Sequence, residues 1–121
     1  MRTLLVLAML ILIPFLGCES AKSEKVPAAP KGSAEKGAQV FEEDCSICHY
    51  ADRTDTKLGP GMKGLFKNQL LPASHKPATE ENVRAQITKG DPHGKPMPMP
   101  AFGDQLNSRQ MDDLLAYLKT L

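Results

Sequence analysis

Residues 45–49 read CSICH, and this stretch decides the fold. Cys45 and Cys48 stand three positions apart, and His49 follows the second thiol directly. Cysteines at this spacing serve as a redox dithiol, as half of a zinc site or, when a histidine follows at once, as the attachment site of a c-type haem. In the last case both thiols add to the porphyrin, and the imidazole then comes to lie beneath the iron.

The two competing interpretations of the motif lack the partners that they need. A structural zinc site takes a second pair of Cys or His ligands at comparable spacing. The other histidines, His75 and His93, stand far apart in proline-rich segments. A redox dithiol of the thioredoxin kind belongs to a βαβ context, which the chain does not suggest. The motif therefore predicts one covalent haem c held by Cys45 and Cys48, with His49 as an axial ligand.

One helical pattern precedes this motif, and a second follows the long segment after it. Residues 35–44 bring apolar side chains to one face at three- and four-residue spacing, with Ser33 or Ala34 at the cap position. A second helix is predicted after Thr79, a natural N-cap, and it ends at Gly90.

A third helix closes the chain. Asn107 and Gln110 have the spacing of a capping box. An apolar stripe then runs to the terminus through Met111, Leu114, Leu115, Leu118 and Leu121. Because no alternating strand pattern accompanies the three helices, the predicted fold class is all-α.

Composition limits the size and the class of the protein. With 121 residues, 41% hydrophobic and only 5% aromatic, the chain predicts one small domain. A formal net charge of +1 removes the simple case for a nucleic-acid binder. Ten prolines and nine glycines predict long irregular connections. So small a core is easier to complete when a large apolar cofactor contributes to it.

The N-terminal segment has the organisation of an export signal. Residues 1–17 carry an early Arg2, an apolar run too short for a stable membrane span, and Gly17 before Cys18. The residues around Cys18 resemble the lipobox of bacterial lipoproteins, which implies a lipid on Cys18 and a membrane anchor in the bacterial periplasm. The alternative is a plain secreted protein from which Cys18 is removed. In a Gram-negative cell the same resemblance implies the outer membrane rather than the inner one, because Glu19 and not an aspartate follows the cysteine.

The segment that follows has little to bury. Residues 18–33 alternate charges, small residues and prolines, and Val26 is their one large aliphatic side chain. Such a composition does not repay its ordering entropy. We therefore predict a signal peptide at 1–17, a lipidated tether at 18–33 and one domain at 34–121.

Residues 34–121 resemble a class I monohaem cytochrome c. In the first helix the likeness rests on Gly37, Phe41 and Cys45 at four-residue steps. In the last helix it rests on Leu114, Tyr117 and Leu118. The resemblance implies a small haem-wrapping fold in which the N- and C-terminal helices pack together and long loops enclose the haem.

Two loops extend the resemblance. LGPGMKGL at 58–65 is similar to a loop of the family whose proline carbonyl accepts a hydrogen bond from the axial histidine. This likeness implies that role for Pro60 towards His49, with Met62 packed on the porphyrin. PMPMPAF at 96–102 resembles the sequence around the family's sixth ligand, which implies Met99.

Alternatives to Met99 stand close to it in the sequence. Met97 lies two residues earlier in the same extended proline-rich run, and Met62, His75 and His93 are further candidates.

A neutral thioether opposite histidine raises the reduction potential and fills the open position on the iron, which favours electron transfer over oxygen binding.

The resemblance implies an electron carrier rather than an enzyme, with redox proteins as donors and acceptors. One alternative is a haem sensor or small peroxidase with an open iron position. Another is a cytochrome subunit of a larger oxidoreductase complex. The charges add a prediction about the partner, because basic residues dominate the loops between Lys57 and Lys95. If the family architecture holds, these residues form a basic rim of Lys57, Lys63, Lys67, Lys76, Arg84, Lys89 and Lys95, with acidic flanks at Glu42, Glu43, Asp44, Asp112 and Asp113. The alternative is that the lysines are solvated loop residues without a role in docking.

Overall fold

The computed structural model describes residues 32–121, so the predicted signal peptide, most of the tether and Cys18 lie outside the described residues. In chain order the elements are helix α1 (Ala34–Val40), a π-helical turn (Phe41–Cys45), a 3-10 turn (Leu65–Lys67), helix α2 (Glu80–Lys89) and helix α3 (Ser108–Leu118). Within the described residues, β structure amounts to two isolated bridges. The all-α prediction is confirmed. None of the helices in this part of the chain has the length and apolar character to cross a membrane.

The predicted helix caps are confirmed. Ser33 caps α1 and Thr79 caps α2, each by accepting a hydrogen bond from the backbone N–H three residues later. Asn107 and Gln110 form the capping box of α3 with bonds of 2.9 and 3.1 Å. Gly90 ends α2 at φ 68°, a left-handed conformation that glycine adopts without strain. Side-chain caps of this kind contribute about 1 kcal/mol each.

The first helix departs from its prediction at the C-terminal end. From Phe41 to Cys45 the backbone widens into a π turn, in which the Ser46 N–H donates to the Phe41 carbonyl at 2.8 Å. The Ser46 hydroxyl donates to the Glu42 carbonyl at 2.7 Å. Such turns recur at functional sites, because the extra residue shifts the helical register. Here the shift falls directly before the CSICH motif.

Helices α1 and α3 cross in close contact. A Cβ atom at Gly37 would overlap the backbone carbonyl of Asp113 and lie 2.8 Å from the Tyr117 Cβ. The rings of Phe41 and Tyr117 pack at 5.5 Å between centroids, with their planes inclined by 60°. The predicted packing of the N- and C-terminal helices is confirmed, and Gly37 is what lets the two backbones approach.

The core continues from this crossing towards α2 and the loops. The most buried side chains are Leu114 and Leu115 of α3, each 1% exposed. They belong to one cluster with Val40, Phe41, Met62, Leu65, Leu71, Val83, Ile87, Phe102, Leu106, Met111 and Leu118, against which Leu121 packs. The predicted apolar stripe of α3 is confirmed.

Two charges predicted for the partner surface are engaged within the fold. Asp113 is only 3% exposed, because the start of α1 lies against it. Its carboxylate accepts a hydrogen bond from the Ser33 N–H at 2.6 Å and pairs with Arg109 at 3.2 Å. Arg84 pairs with Asp112 at 2.5 Å, so a cation of the predicted basic rim neutralises an anion of the predicted acidic flank. Assigning Asp113 to the partner surface was wrong, whereas Arg84 stays partly exposed with its charge paired.

Candidate functional site

A cavity of about 470 Å³ lies between the π turn, α2, α3 and the long loops. Apolar side chains make much of its wall, among them Phe41, Met62, Leu65, Val83, Ile87, Phe102, Leu114 and Leu118. The volume falls within the roughly 300–1,000 Å³ of cofactor and ligand sites. The fold also brings five predicted site residues to this wall, namely Cys45, Cys48, His49, Pro60 and Met99.

The two thiols are presented by a tight turn. Cys45 ends the π turn, and its carbonyl accepts hydrogen bonds from the Cys48 and His49 N–H groups at 3.0 and 2.9 Å. Both cysteines are half-buried free thiols. Burial, and then the charges of Asp44 and Cys48, raise the pKa of the Cys45 thiol to about 12. Because a redox dithiol works through an accessible thiolate, this environment disfavours that interpretation of the motif.

The imidazole of His49 is held in one orientation. Its Nδ1 lies 2.7 Å from the Pro60 carbonyl oxygen. Since a carbonyl only accepts, Nδ1 carries the proton and donates, which leaves the lone pair of Nε2 for a metal. The hydrogen bond that the resemblance implied for Pro60 is therefore present in the fold.

Gly59 is a site residue that the sequence analysis did not single out. A Cβ atom at this position would overlap the His49 ring at Cε1 and lie 2.8 Å from Nδ1. The Gly59 N–H donates to the Cys48 carbonyl at 2.8 Å, which ties the loop to the motif. The feature of the sequence that could have identified Gly59 as a site residue is its position directly before Pro60.

The two candidate methionines differ in their surroundings. Both line the cavity, but Met97 is 53% exposed, whereas Met99 is half-buried and packs against the core. The backbone of Met99 pairs with Asp91 through two hydrogen bonds of 2.9 Å. Gly90 permits this approach, because a Cβ atom there would overlap the Met99 carbonyl oxygen.

The remaining candidate ligands are less well placed. His93 lines the cavity but is exposed, and the exposed His75 is not part of its wall. Met62 is buried in the core beside the cavity. Across residues 32–121, no three His, Cys, Asp or Glu side chains gather as a metal site would require, so the zinc interpretation gains no support.

The donor set and the wall fit a covalently attached porphyrin. The thiols at Cys45 and Cys48 offer two attachment points, and the oriented imidazole of His49 offers a nitrogen to iron. The apolar wall suits the flat ring, and the thioether of Met99 offers a second, neutral ligand.

Comparisons with known proteins agree with this fit. A model of the cytochrome c family matches residues 34–121. The chain is 31% identical over 93 residues to a cytochrome c-553-like protein of Synechocystis sp., covering 77% of this chain and 73% of that one. It is 29% identical over 93 residues to cytochrome c6 of Gloeothece citriformis, covering 77% and 76%. The solved structure of cytochrome c6 from the diatom Phaeodactylum tricornutum is similar at a TM-score of 0.52 and 26% identity, covering 74% of this chain and 93% of that one.

Proposed function

The chain belongs to the cytochrome c family, and on that premise we propose that Cys45 and Cys48 hold its haem, with His49 and Met99 as axial ligands. Within this family the chain is an electron carrier with one covalent haem c and not an enzyme, and its partners are redox proteins. The observation that carries the ligand assignment is the convergence of these side chains on one apolar cavity.

Each proposed ligand is positioned by a neighbour. The Pro60 carbonyl, 2.7 Å from Nδ1 of His49, fixes the tautomer and strengthens the imidazole as a donor. Gly59 leaves room for the ring in this orientation, because a Cβ atom there would overlap Cε1. The paired backbone of Asp91 and Met99 holds the thioether segment against the core. When bound, the haem supplies the ferric and ferrous states between which an electron is gained or lost.

The apolar wall contributes to the redox chemistry as well. Val83, Ile87 and Leu114 are all buried and line the cavity. Side chains of this kind exclude water and lower the local dielectric, which disfavours the extra charge of the oxidised iron. A high reduction potential, in the range of an electron carrier with His and Met ligands, is therefore part of the proposal.

Removing each methionine in turn tests the ligand assignment. Met99→Ala should keep the haem covalently attached, lose the near-infrared methionine-to-iron band of the ferric protein and bind carbon monoxide readily when reduced. Met97→Ala is the matched control and should retain the band, because this side chain is largely exposed.

The reverse pattern would assign the ligand to Met97. If the unaltered ferrous protein already bound carbon monoxide readily, its iron would have an open position. The haem sensor or small peroxidase would then replace the electron carrier as the better hypothesis.

We further propose that the protein is exported to the periplasm and anchored by a lipid on Cys18. The support is the sequence alone: an export signal at 1–17 followed by the lipobox-like residues around Cys18. Cys18→Ser should release a folded, haem-loaded protein into the soluble periplasmic fraction. An unmodified mature N-terminus at any residue other than Cys18, found by mass spectrometry, would rule out the lipid.

A further inference from the structure

We propose that Lys57 is a positioning residue for the axial histidine. Its ammonium group joins the CSICH motif to the loop at 57–60, which carries Pro60, the hydrogen-bond partner of His49. By holding this loop closed, Lys57 keeps the imidazole in one orientation towards the iron. This role rests on the proposed function, because it takes His49 as the ligand.

The motif presents a backbone carbonyl at the end of a helix. Ser46 follows the π turn, and its N–H and hydroxyl donate to the Phe41 and Glu42 carbonyls. Carbonyl groups at the C-terminal end of a helix lack a partner further along it, and a cation is favoured there. The Lys57 ammonium supplies a partner for the Ser46 carbonyl, to which it donates a hydrogen bond at 2.8 Å.

The loop is bound to the same motif by its backbone as well. The Leu58 and Gly59 N–H groups both donate to the Cys48 carbonyl, at 3.1 and 2.8 Å. The Pro60 carbonyl, one residue further on, lies 2.7 Å from Nδ1 of His49. Among these contacts, the lysine ammonium is the one donor that a substitution can remove without altering the backbone or the imidazole.

A tyrosine ring limits where this ammonium group can lie. Lys57 Nζ is 5.3 Å from the centroid of the Tyr50 ring, within the ~6 Å of a cation–π contact. The Arg53 guanidinium lies 4.7 Å from the same centroid and pairs with Asp52 at 3.0 Å. Within the described chain Lys57 forms no ion pair. Its ammonium is therefore directed to the ring and the carbonyl rather than to a carboxylate.

The consequence of this arrangement concerns electron transfer. An imidazole whose ring and hydrogen bond are fixed rearranges less when the iron gains or loses an electron than one that is free to turn. Gly59 leaves room for the ring, and Pro60 accepts its proton. Lys57 holds the loop that carries both of these residues.

Hydrogen exchange in the haem-loaded, reduced protein, followed by nuclear magnetic resonance, tests this role. The Nδ1 proton of His49 and the amide protons of Leu58 and Gly59 exchange with solvent when the loop opens. Lys57→Met removes the ammonium group and keeps most of the length of the side chain. The three exchange rates should rise by about fivefold, because one hydrogen bond of modest net strength is lost and those of the backbone remain.

Three controls separate positioning from general destabilisation. Lys57→Arg keeps a cation and should restore slow exchange. Lys63→Met removes another exposed charge and should leave the rates unchanged, because the Lys63 side chain makes no hydrogen bond or ion pair within the described chain. The Phe102 N–H donates to the Ile87 carbonyl at 3.0 Å, outside this loop, and its exchange should be the same in every variant.

Three results would overturn the proposal. One is that the rates do not rise in Lys57→Met, and another is that Lys57→Arg fails to restore them. The third is an equal rise at Phe102, because the substitution would then destabilise the whole domain.

A failure of the proposed function would be recognised separately. The haem ring shifts the ring protons of an axial imidazole far upfield. If the unaltered protein lacked such signals, His49 would not be the ligand. The amide protons of Leu58 and Gly59 would still decide whether Lys57 holds the loop.

Discussion

The crossing of α1 and α3 differs from the loop side of the molecule in what holds it together. At the crossing, Gly37 brings two backbones into contact, the tilted rings of Phe41 and Tyr117 pack together, and Asp113 accepts a hydrogen bond from the N-cap residue Ser33. On the loop side, residues 51–79 and 90–107 form little regular structure and surround the cavity. The contacts that hold the crossing together are all made between residues of the protein. The apolar wall of the loop side faces the cavity, where we propose that the haem binds.

Helix α3 connects the two regions. Leu114 and Leu118 are buried in the core and also line the cavity. A change at the crossing therefore alters the stability of the whole domain, and a change on the loop side is first detected at the haem. Domain stability and the haem spectrum are therefore the two readouts that distinguish the regions.

Removing the residues that we propose for haem attachment should have the largest effect on the stability of the domain. In Cys45→Ala, Cys48→Ala the cavity would lose the covalent haem that we propose for it, and the apolar wall on the loop side would be exposed to water. We expect loss of cooperative thermal unfolding, because domains of this size have only about 5–15 kcal/mol of stability in total. Circular dichroism during heating measures this effect.

Cys18→Ser is the control, since Cys18 lies before the domain, and it should keep both the haem and the transition. A cooperative transition of normal midpoint in the haem-free double variant would show that the loop side folds without the cofactor. The contrast between the two regions would then be lost.

A methyl group at the crossing should have the next largest effect. Alanine is a better helix former than glycine by about 1 kcal/mol, so Gly37→Ala would stabilise a helix with free space at that position. Here the added Cβ overlaps a backbone carbonyl, which cannot rotate away. We expect a net destabilisation of about 1–3 kcal/mol, measured by denaturant unfolding. The absorption spectrum of the haem should be unchanged.

Gly59→Ala is the counterpart on the loop side. Its Cβ overlaps the His49 ring, so the haem spectrum and the reduction potential should change more than they do in Gly37→Ala. Gln39→Ala, at an exposed position of α1, is the control for a substitution by alanine. Its free energy of unfolding should stay within about 0.5 kcal/mol of that of the unaltered protein. Equal spectral changes in the two glycine variants would contradict the division between the regions.

The sequence predicted what depends on neighbours within a few residues. Ser33, Thr79 and Asn107 were identified as caps because a cap acts on a backbone group three positions away. The apolar stripe of α3 was equally local, and the resemblance to cytochrome c gave the packing of the two terminal helices.

What the sequence did not predict depends on contacts between distant segments. The burial of Asp113 follows from its hydrogen bond to Ser33, 80 positions earlier in the chain. The pairing of Arg84 with Asp112 spans 28 positions. Met97 and Met99 stand in the same proline-rich run, so only the tertiary packing separates the exposed side chain from the half-buried one.

The smallest predicted effect is that of surface charge on the rate of electron exchange. The ion pairs between distant segments lie on the helical side, where Arg84 pairs with Asp112 and Lys119 with Glu80. On the loop side Arg53 pairs only with its neighbour Asp52. On the loop side Lys95 lines the cavity and Lys63 follows the buried Met62, and neither forms an ion pair within the described chain. Unpaired charges beside the cavity should steer an acidic partner towards the haem.

Small redox reagents of opposite charge test this steering without a chosen partner protein. Electron exchange with anionic hexacyanoferrate should slow as salt is added, and exchange with cationic hexaammineruthenium should accelerate. At low salt, Lys63→Glu with Lys95→Glu should slow the anionic reaction by about tenfold. Lys36→Glu with Lys119→Glu changes the net charge equally on the helical side and should have a much smaller effect, because Lys36 lies on α1 away from the cavity wall and the charge of Lys119 is already paired with Glu80. Equal slowing in the two double variants would mean that net charge alone sets the rate, and the unpaired lysines beside the cavity would then have no special part in docking.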